Sequence, residues 1–171
     1  MTFTRPVSVV MTVFNEADNI ETVLRTLLAQ TRPPDEIVIV DGGSTDGTSG
    51  VIEQLAQDTA SLGPTRLTYL VRPGANISQG RNAAIAAATH ELIAVTDAGV
   101  RLNSDWLENL TAPFSRDGKA TGVEVVAGFF RADPDPASPF QVAMGATVLP
   151  VEDEIEPEKF LPSSRSVAFT R

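Results

Sequence analysis

Seven consecutive residues, Val7-Ser8-Val9-Val10-Met11-Thr12-Val13, constrain this chain more than any other stretch. A run that is almost wholly apolar and β-branched makes a strand with no wet face, so it belongs inside a sheet covered on both sides. Phe14-Asn15-Glu16-Ala17 breaks the run. Asp18, followed at capping-box spacing by Glu21, is the expected N-cap of a helix. Ile20, Val23, Leu24, Leu27 and Leu28 then recur at helical spacing and form one apolar stripe. Thr31-Arg32-Pro33-Pro34 ends that helix, because proline cannot continue it.

The same alternation repeats. Glu36 to Asp41 is a second apolar strand that stops at a carboxylate, and Gly42-Gly43-Ser44-Thr45-Asp46-Gly47 is a tight turn into a helix carrying Val51, Ile52 and Leu55. Leu67 to Val71 reads as a third strand. Ser78 is placed to cap an alanine-rich helix from Gln79 to Ala88. Glu91 to Thr96 is the fourth strand, and Ser104 is placed to cap a helix that turns Trp106, Leu107 and Leu110 inward. Strand and helix in strict alternation predict an α/β fold: a Rossmann-like, mostly parallel sheet with helices on both faces. Beyond Phe114, Val123 to Phe130 suits a longer strand and Ala132 to Pro139 a proline-aspartate loop. Glu152-Asp153-Glu154, with Glu156 and Glu158, reads as a solvated acidic loop. Ser166 to Thr170 looks like a strand beginning where the sequence stops, so the sheet is expected to be C-terminally incomplete. An unpaired edge at Val167 to Thr170 would favour self-association.

Composition removes several function classes. A formal charge of −9 over 171 residues argues against a nucleic-acid partner. With no cysteine, disulfides, thiolate metal sites and cysteine nucleophiles are excluded. No secretory leader and no apolar run of membrane-spanning length is visible, so a cytoplasmic chain is expected. His90 is the only histidine and falls in a helix-to-strand turn, which leaves Ser-His-Asp chemistry without support.

Two strands end in carboxylates, Asp41 and Asp97, and the first strand ends near Glu16. Parallel strands deliver their ends to one edge of the sheet, where open α/β sheets bind ligands. Ionised carboxylates there can accept from ribose hydroxyls or a base N–H, and Phe14 can stack on a base. Asp41 has a second reading, as the residue that fixes its own turn; for Asp46, turn and cap fixing is preferred. Arg81, one turn into the alanine-rich helix, suits a diphosphate aided by N–H groups at the helix start, or is an ordinary exposed arginine. Neither G-x-x-x-x-G-K-[ST] nor G-x-G-x-x-G is present, so P-loop and dinucleotide folds lack support. A nucleotidyl-transfer enzyme is disfavoured because lysine- and glycine-rich triphosphate loops are missing.

Val7 to Glu16, Val40-Asp41-Gly42-Gly43-Ser44-Thr45-Asp46-Gly47-Thr48, Gly80-Arg81-Asn82-Ala83-Ala84 and Thr96-Asp97-Ala98-Gly99 resemble, in order and spacing, the family 2 glycosyltransferases of GT-A fold. The resemblance covers about residues 6 to 130, and Ser163 to Arg171 is similar to the segment preceding that family's catalytic Glu-Asp pair. It implies a single GT-A domain over 1–171, with a nucleotide-sugar-binding half at 6–130 and the start of an acceptor-side part at 131–171. It also implies a nucleotide-sugar donor ringed by Thr12, Phe14, Glu16 and Asp41, with Arg81 near the diphosphate. Asp97 would be the first acid of the D-x-D motif and a ligand to Mn or Mg.

The motif departs from the family where it matters. Thr12-Val13-Phe14 stands for the usual Pro-Thr-Tyr, and Asp41-Gly42 for the usual Asp-Asp. Asp97-Ala98-Gly99 lacks a second acid, so the divalent cation loses a ligand. Arg101, two residues on, is the candidate to supply part of that charge to the leaving group. No residue stands where the family carries its general base, which predicts either a truncated glycosyltransferase supplying the donor-binding half or a non-catalytic nucleotide- or nucleotide-sugar-binding module.

Overall fold

The computed structural model describes residues 5–116, 119–148, 153, 155–156 and 158–171. The first apolar run becomes strand β1 (Val7–Val13), whose apolar residues are all buried. Helix α1 (Ala17–Leu28) buries Ile20, Val23, Leu24 and Leu27 on its expected stripe. Its N-cap is Glu16, not Asp18: the chain turns into the helix two residues earlier, leaving Asp18 in the first turn. Strand β2 (Glu36–Asp41) is buried throughout. Helix α2 (Thr48–Gln57), the short α3 (Thr59–Leu62) and strand β3 (Arg66–Val71) follow.

Helix α4 (Ile77–Ala87) is capped by Asn76 in a reciprocal box with Gln79, not by Ser78. Asn76 Oδ1 accepts from Gln79 N at 2.9 Å and Gln79 Oε1 from Asn76 N at 3.0 Å. Strand β4 (Leu92–Val95) leads to Asp97, and helix α5 (Trp106–Thr111) buries Leu107 and Leu110 while Trp106 stays half-buried. Its N-cap is Asp105, not Ser104, with no side-chain capping bond. A 3-10 turn (Ala112–Phe114) and the small hairpin β5 (Ser115–Arg116) and β6 (Lys119–Ala120) come next. The expected long strand from Val123 shrinks to β7 (Val125–Ala127). Helix α6 (Pro139–Val148) begins where a loop was expected to end. The chain closes with β8 (Val167–Thr170). Of the acidic run, Glu152 and Glu154 lie outside the described residues.

The main sheet runs β3-β2-β1-β4-β8-β7. β3, β2, β1 and β4 are parallel, whereas β8 pairs antiparallel with both β4 and β7. The sequence therefore predicts the parallel half correctly. The expected open edge at Val167 to Thr170 is not one: β8 is bonded on both sides, and the outer strands are β3 and β7. Strand order reverses between β1 and β4. Right-handed crossovers before and after that reversal put helices on opposite faces. Val7, Val9, Met11 and Val13 pack with α1, α2 and α5 on one face; Val10, Val38, Val40, Ile93 and Val95 pack with Ala84 and Ala88 on the other.

A buried carboxylate fastens the opposite end of the sheet. Glu36 Oε2 accepts from Ser8 Oγ at 2.6 Å, Thr89 N at 2.8 Å and Thr89 Oγ1 at 3.1 Å. His90 donates its backbone N–H to Ser8 Oγ there, at the far end of the strands from Asp97. No helix among the described residues is long and apolar enough to cross a membrane.

Candidate functional site

The crevice of an open α/β sheet lies beyond the strand ends at the point of reversed order. Here that is the space past Val13 and Val95. Phe14 leaves β1 with 61% of its surface exposed. Asn15 adopts φ 55°, which a short amide side chain tolerates better than most. Its N–H donates to Ser44 Oγ at 2.9 Å, and its Oδ1 accepts from Thr45 N at 2.9 Å. The N–H of Glu16 donates to Thr48 Oγ1 at 2.8 Å, and Asp46 Oδ2 accepts from Ala17 N at 3.0 Å. These bonds brace the loop after β1 against the loop after β2 and hold Phe14 outward. Asp46 is thus a fastener, as expected. Glu16 Oε2 accepts from Asn19 Nδ2 at 2.9 Å while the residue remains half-exposed.

Asp41 is fully buried, and internal bonds engage both of its oxygens. Oδ1 accepts from Gly43 N at 2.8 Å, Ser44 N at 2.7 Å and Ser44 Oγ at 2.8 Å. Oδ2 accepts from Tyr69 OH at 2.7 Å and Ser49 Oγ at 3.3 Å. Burial alone would push the carboxyl up. The bonds from Ser44, Tyr69 and Gly43 outweigh it and hold Asp41 below the ordinary carboxylate range. Burial, with Asp41 alongside, pushes the Tyr69 phenol up to about 12, so it stays a donor. Of its two sequence readings, turn fixing is the one these bonds describe. Gly42 stands where the second acid is missing. A Cβ there would stand 3.0 Å from Ala75 O and 3.4 Å from Phe14 Cδ2, so a side chain would fit only if these neighbours gave by a few tenths of an ångström.

Thr12 faces α4. A Cβ on Gly80 would fall 2.8 Å from Thr12 Cγ2, so only glycine lets this helix lie so close to β1. One residue on, Arg81 Nη2 donates to Asp97 Oδ1 at 3.0 Å. The two are 18% and 31% exposed, so Arg81 is neither an ordinary surface arginine nor separate from Asp97. The helix start offers less than expected, because Asn76 already takes the N–H of Gln79. Arg165, which no sequence argument singled out, places Nε 4.0 Å from Asp97 Oδ2 and lies over the Phe130 ring. Arg101 points elsewhere: its Nη1 is 2.7 Å from Asp133 Oδ2 at the surface. A cleft of about 1240 Å³ opens beside this edge, with Gly99, Arg101, Trp106, Phe130 and Arg165 among its walls.

The described side chains at this edge offer a divalent cation few free oxygens. Such an ion needs several oxygen ligands. Asp97 offers one carboxylate already shared by two guanidinium groups, Gly99 offers no side chain, and no cluster of three acids or histidines occurs among the described residues.

Comparison with known proteins gives a consistent picture. The sequence model of Glycosyl transferase family 2 matches residues 8–142. Glycosyltransferase AglE of Haloferax volcanii is 33% identical over 132 residues, covering 75% of this chain and 40% of that protein. An uncharacterized glycosyltransferase, alr2836, of Nostoc sp. is 39% identical over 94 residues, covering 54% of this chain and 27% of that protein. Among solved structures, the mannosyltransferase PcManGT from Pyrobaculum calidifontis, in complex with GDP-Man and Mn2+, superposes with a TM-score of 0.68 at 24% identity. That match covers 99% of this chain and 46% of the other. Glucosyl-3-phosphoglycerate synthase from Mycobacterium tuberculosis, in complex with UDP, gives 0.60 at 22% identity, covering 97% and 57%. The fold is thus that of GT-A glycosyltransferases. The chain spans 40% or less of these two curated relatives.

Proposed function

Since the chain belongs to glycosyl transferase family 2, we propose that it binds a nucleotide-sugar donor beyond the ends of β1, β2 and β4 and supplies the donor half of a sugar transfer. One observation carries the proposal: at the reversal in strand order, an outward-held aromatic, a half-exposed Glu16 and an arginine–aspartate pair meet at one sheet edge.

Phe14 stacks on the base, and Thr12 and Glu16 line the nucleoside. Asp41 acts from beneath by fixing the Gly43–Ser44 turn. Arg81 receives the diphosphate, where a planar guanidinium matches phosphate oxygens. Asp97 positions that arginine. Arg101 assists the departing nucleoside diphosphate after exchanging Asp133 for it. In transfer, the acceptor hydroxyl attacks the anomeric carbon, its proton goes to a base, and charge grows on the departing diphosphate. The residues here act on the last of these. With a net charge of −9, an acidic or nucleic-acid acceptor is disfavoured.

Thermal unfolding with a panel of nucleoside diphosphates and their sugar esters tests the assignment. A ligand at about a hundred times its Kd adds about 2.7 kcal/mol, or about 5–10 °C in a chain of this size. No shift with any nucleotide would remove the assignment. A shift without sugar transfer to any acceptor would favour a binding module without catalysis.

A further inference from the structure

Asp97 is approached by two guanidinium groups that come from different parts of the chain. Arg81 arrives from α4 and donates to Oδ1 at 3.0 Å; Arg165 arrives from the turn before β8, with Nε 4.0 Å from Oδ2. The second approach follows from register. Val95 pairs with Val167 antiparallel, so extending the ladder by two residues sets Asp97 opposite Arg165 on the same face.

The charges do not balance within the trio, since two cations face one carboxylate. Two buried polar atoms at this strand end, Arg81 Nε and Thr96 Oγ1, have no partner, although buried polar groups are normally paired. Thr96 is fully buried. The Phe130 ring beneath Arg165, 5.3 Å from its guanidinium carbon, keeps that plane oriented without consuming its donors. Two like charges at this spacing would repel unless something anionic lay between them. Asp97 fills that place now, and a diphosphate has the same sign with more acceptor oxygens.

We infer that Arg81 and Arg165, held side by side by Asp97, form a two-arginine diphosphate cradle that does the electrostatic work of a divalent cation, so that the donor binds without metal. This presupposes the nucleotide-sugar site proposed above. Guanidinium groups suit the task because each presents a rigid fork of donors to phosphate oxygens. Asp97 is then a positioning residue for the cradle and not a metal ligand. The missing second acid at Gly99 follows, since another carboxylate there would oppose the diphosphate.

Calorimetric titration of the full chain with UDP, GDP and ADP, and with the matching nucleosides, separates the possibilities. Each is measured in EDTA and again in Mn²⁺. The diphosphate that binds best is expected to hold its affinity in EDTA to within about threefold. Arg165→Gln is expected to weaken it about tenfold, equivalent to about 1.4 kcal/mol, while leaving the nucleoside unchanged. Arg165→Lys, which keeps the charge but loses the fork, should fall between the two. Diphosphate binding that appears only with Mn²⁺ would overturn the cradle and leave the donor site standing. So would equal weakening of diphosphate and nucleoside by Arg165→Gln, the mark of a merely structural role. Absence of binding by every nucleotide in both conditions would remove the donor site and the cradle together.

Discussion

The phenol of Tyr69 donates to Asp41 Oδ2 at 2.7 Å, which ties β3 to the turn after β2. Tyr69→Phe deletes the bond and leaves a buried carboxylate short of one donor, a loss of about 1.5–3 kcal/mol for a charged partner. The loss is pH-dependent. Asp41 is held below its ordinary value in the folded chain, so its bonds stabilise the fold above the unfolded-state pKa. That contribution fades as pH falls through the folded-state value. Denaturant melts at pH 7 and at progressively lower pH should show the difference between wild type and Tyr69→Phe shrinking with acid. A constant difference would show that Asp41 is not the partner that matters.

Gly80→Ala brings a methyl group to 2.8 Å from Thr12 Cγ2. Overpacking of this kind costs about 1–3 kcal/mol, against about 1 kcal/mol gained from alanine's helix propensity. A small net loss is expected. Thr12→Ser removes the clashing methyl, so the double variant should melt above Gly80→Ala and show clear coupling in a double-mutant cycle. Simple additivity would mean that α4 and β1 do not meet as described.

Gly128 lies against Ser166, whose Oγ accepts from Trp106 Nε1 at 2.9 Å. A Cβ at Gly128 would stand 1.9 Å from that oxygen, so Gly128→Ala must push Ser166 aside and break the indole bond. A loss of about 2–3 kcal/mol is expected. Trp106 is the only tryptophan, so its emission reports the change directly. A red shift should accompany the lower midpoint, and an unmoved spectrum would contradict it.

Phe14 is exposed, so Phe14→Ala should change stability by no more than about 0.5 kcal/mol. Stacking on a base is worth about 1–3 kcal/mol, so nucleoside affinity should fall about tenfold or more. Titration with the nucleoside alone checks this. Full retention of affinity would place the base elsewhere.

The sequence made some of this legible because the relevant signals are local. Val7 to Val13 and Glu36 to Asp41 have no polar face to misread, and the stripe from Ile20 to Leu27 has one spacing that fits. Caps were less certain: Asp18, Ser78 and Ser104 are all acceptable residues, yet Glu16, Asn76 and Asp105 occupy the positions. The choice there depends on how loops pack, as with Asp46 reaching Ala17 N. What could not be read locally was which distant strand lies beside β4. Arg165 was within a segment that looked meaningful, but only the pairing of Val95 with Val167 brings it to Asp97. Glu36 opens a strand, and its three donor groups come from Ser8 and Thr89, 28 and 53 residues away. The bond to Asp41 was not legible locally either, because Tyr69 stands 28 residues away and gives no sign of reaching it.

The insertion of β8 between β4 and β7 also sets an order of events. The parallel half already contains one distant pairing, β4 on β1 across about 85 residues, and Val95 meets Val167 across about 70 more, but all four parallel strands precede β8 in the chain. Closing a loop of that length costs about 4 kcal/mol of chain entropy before any contact repays it. Order of synthesis, not loop length, makes the parallel half the earlier unit, and Arg165 joins Asp97 after it. During synthesis, Phe14, Asp41 and Arg81 emerge and settle while the second arginine has yet to leave the ribosome, so capacity to hold a diphosphate should lag behind acquisition of the fold.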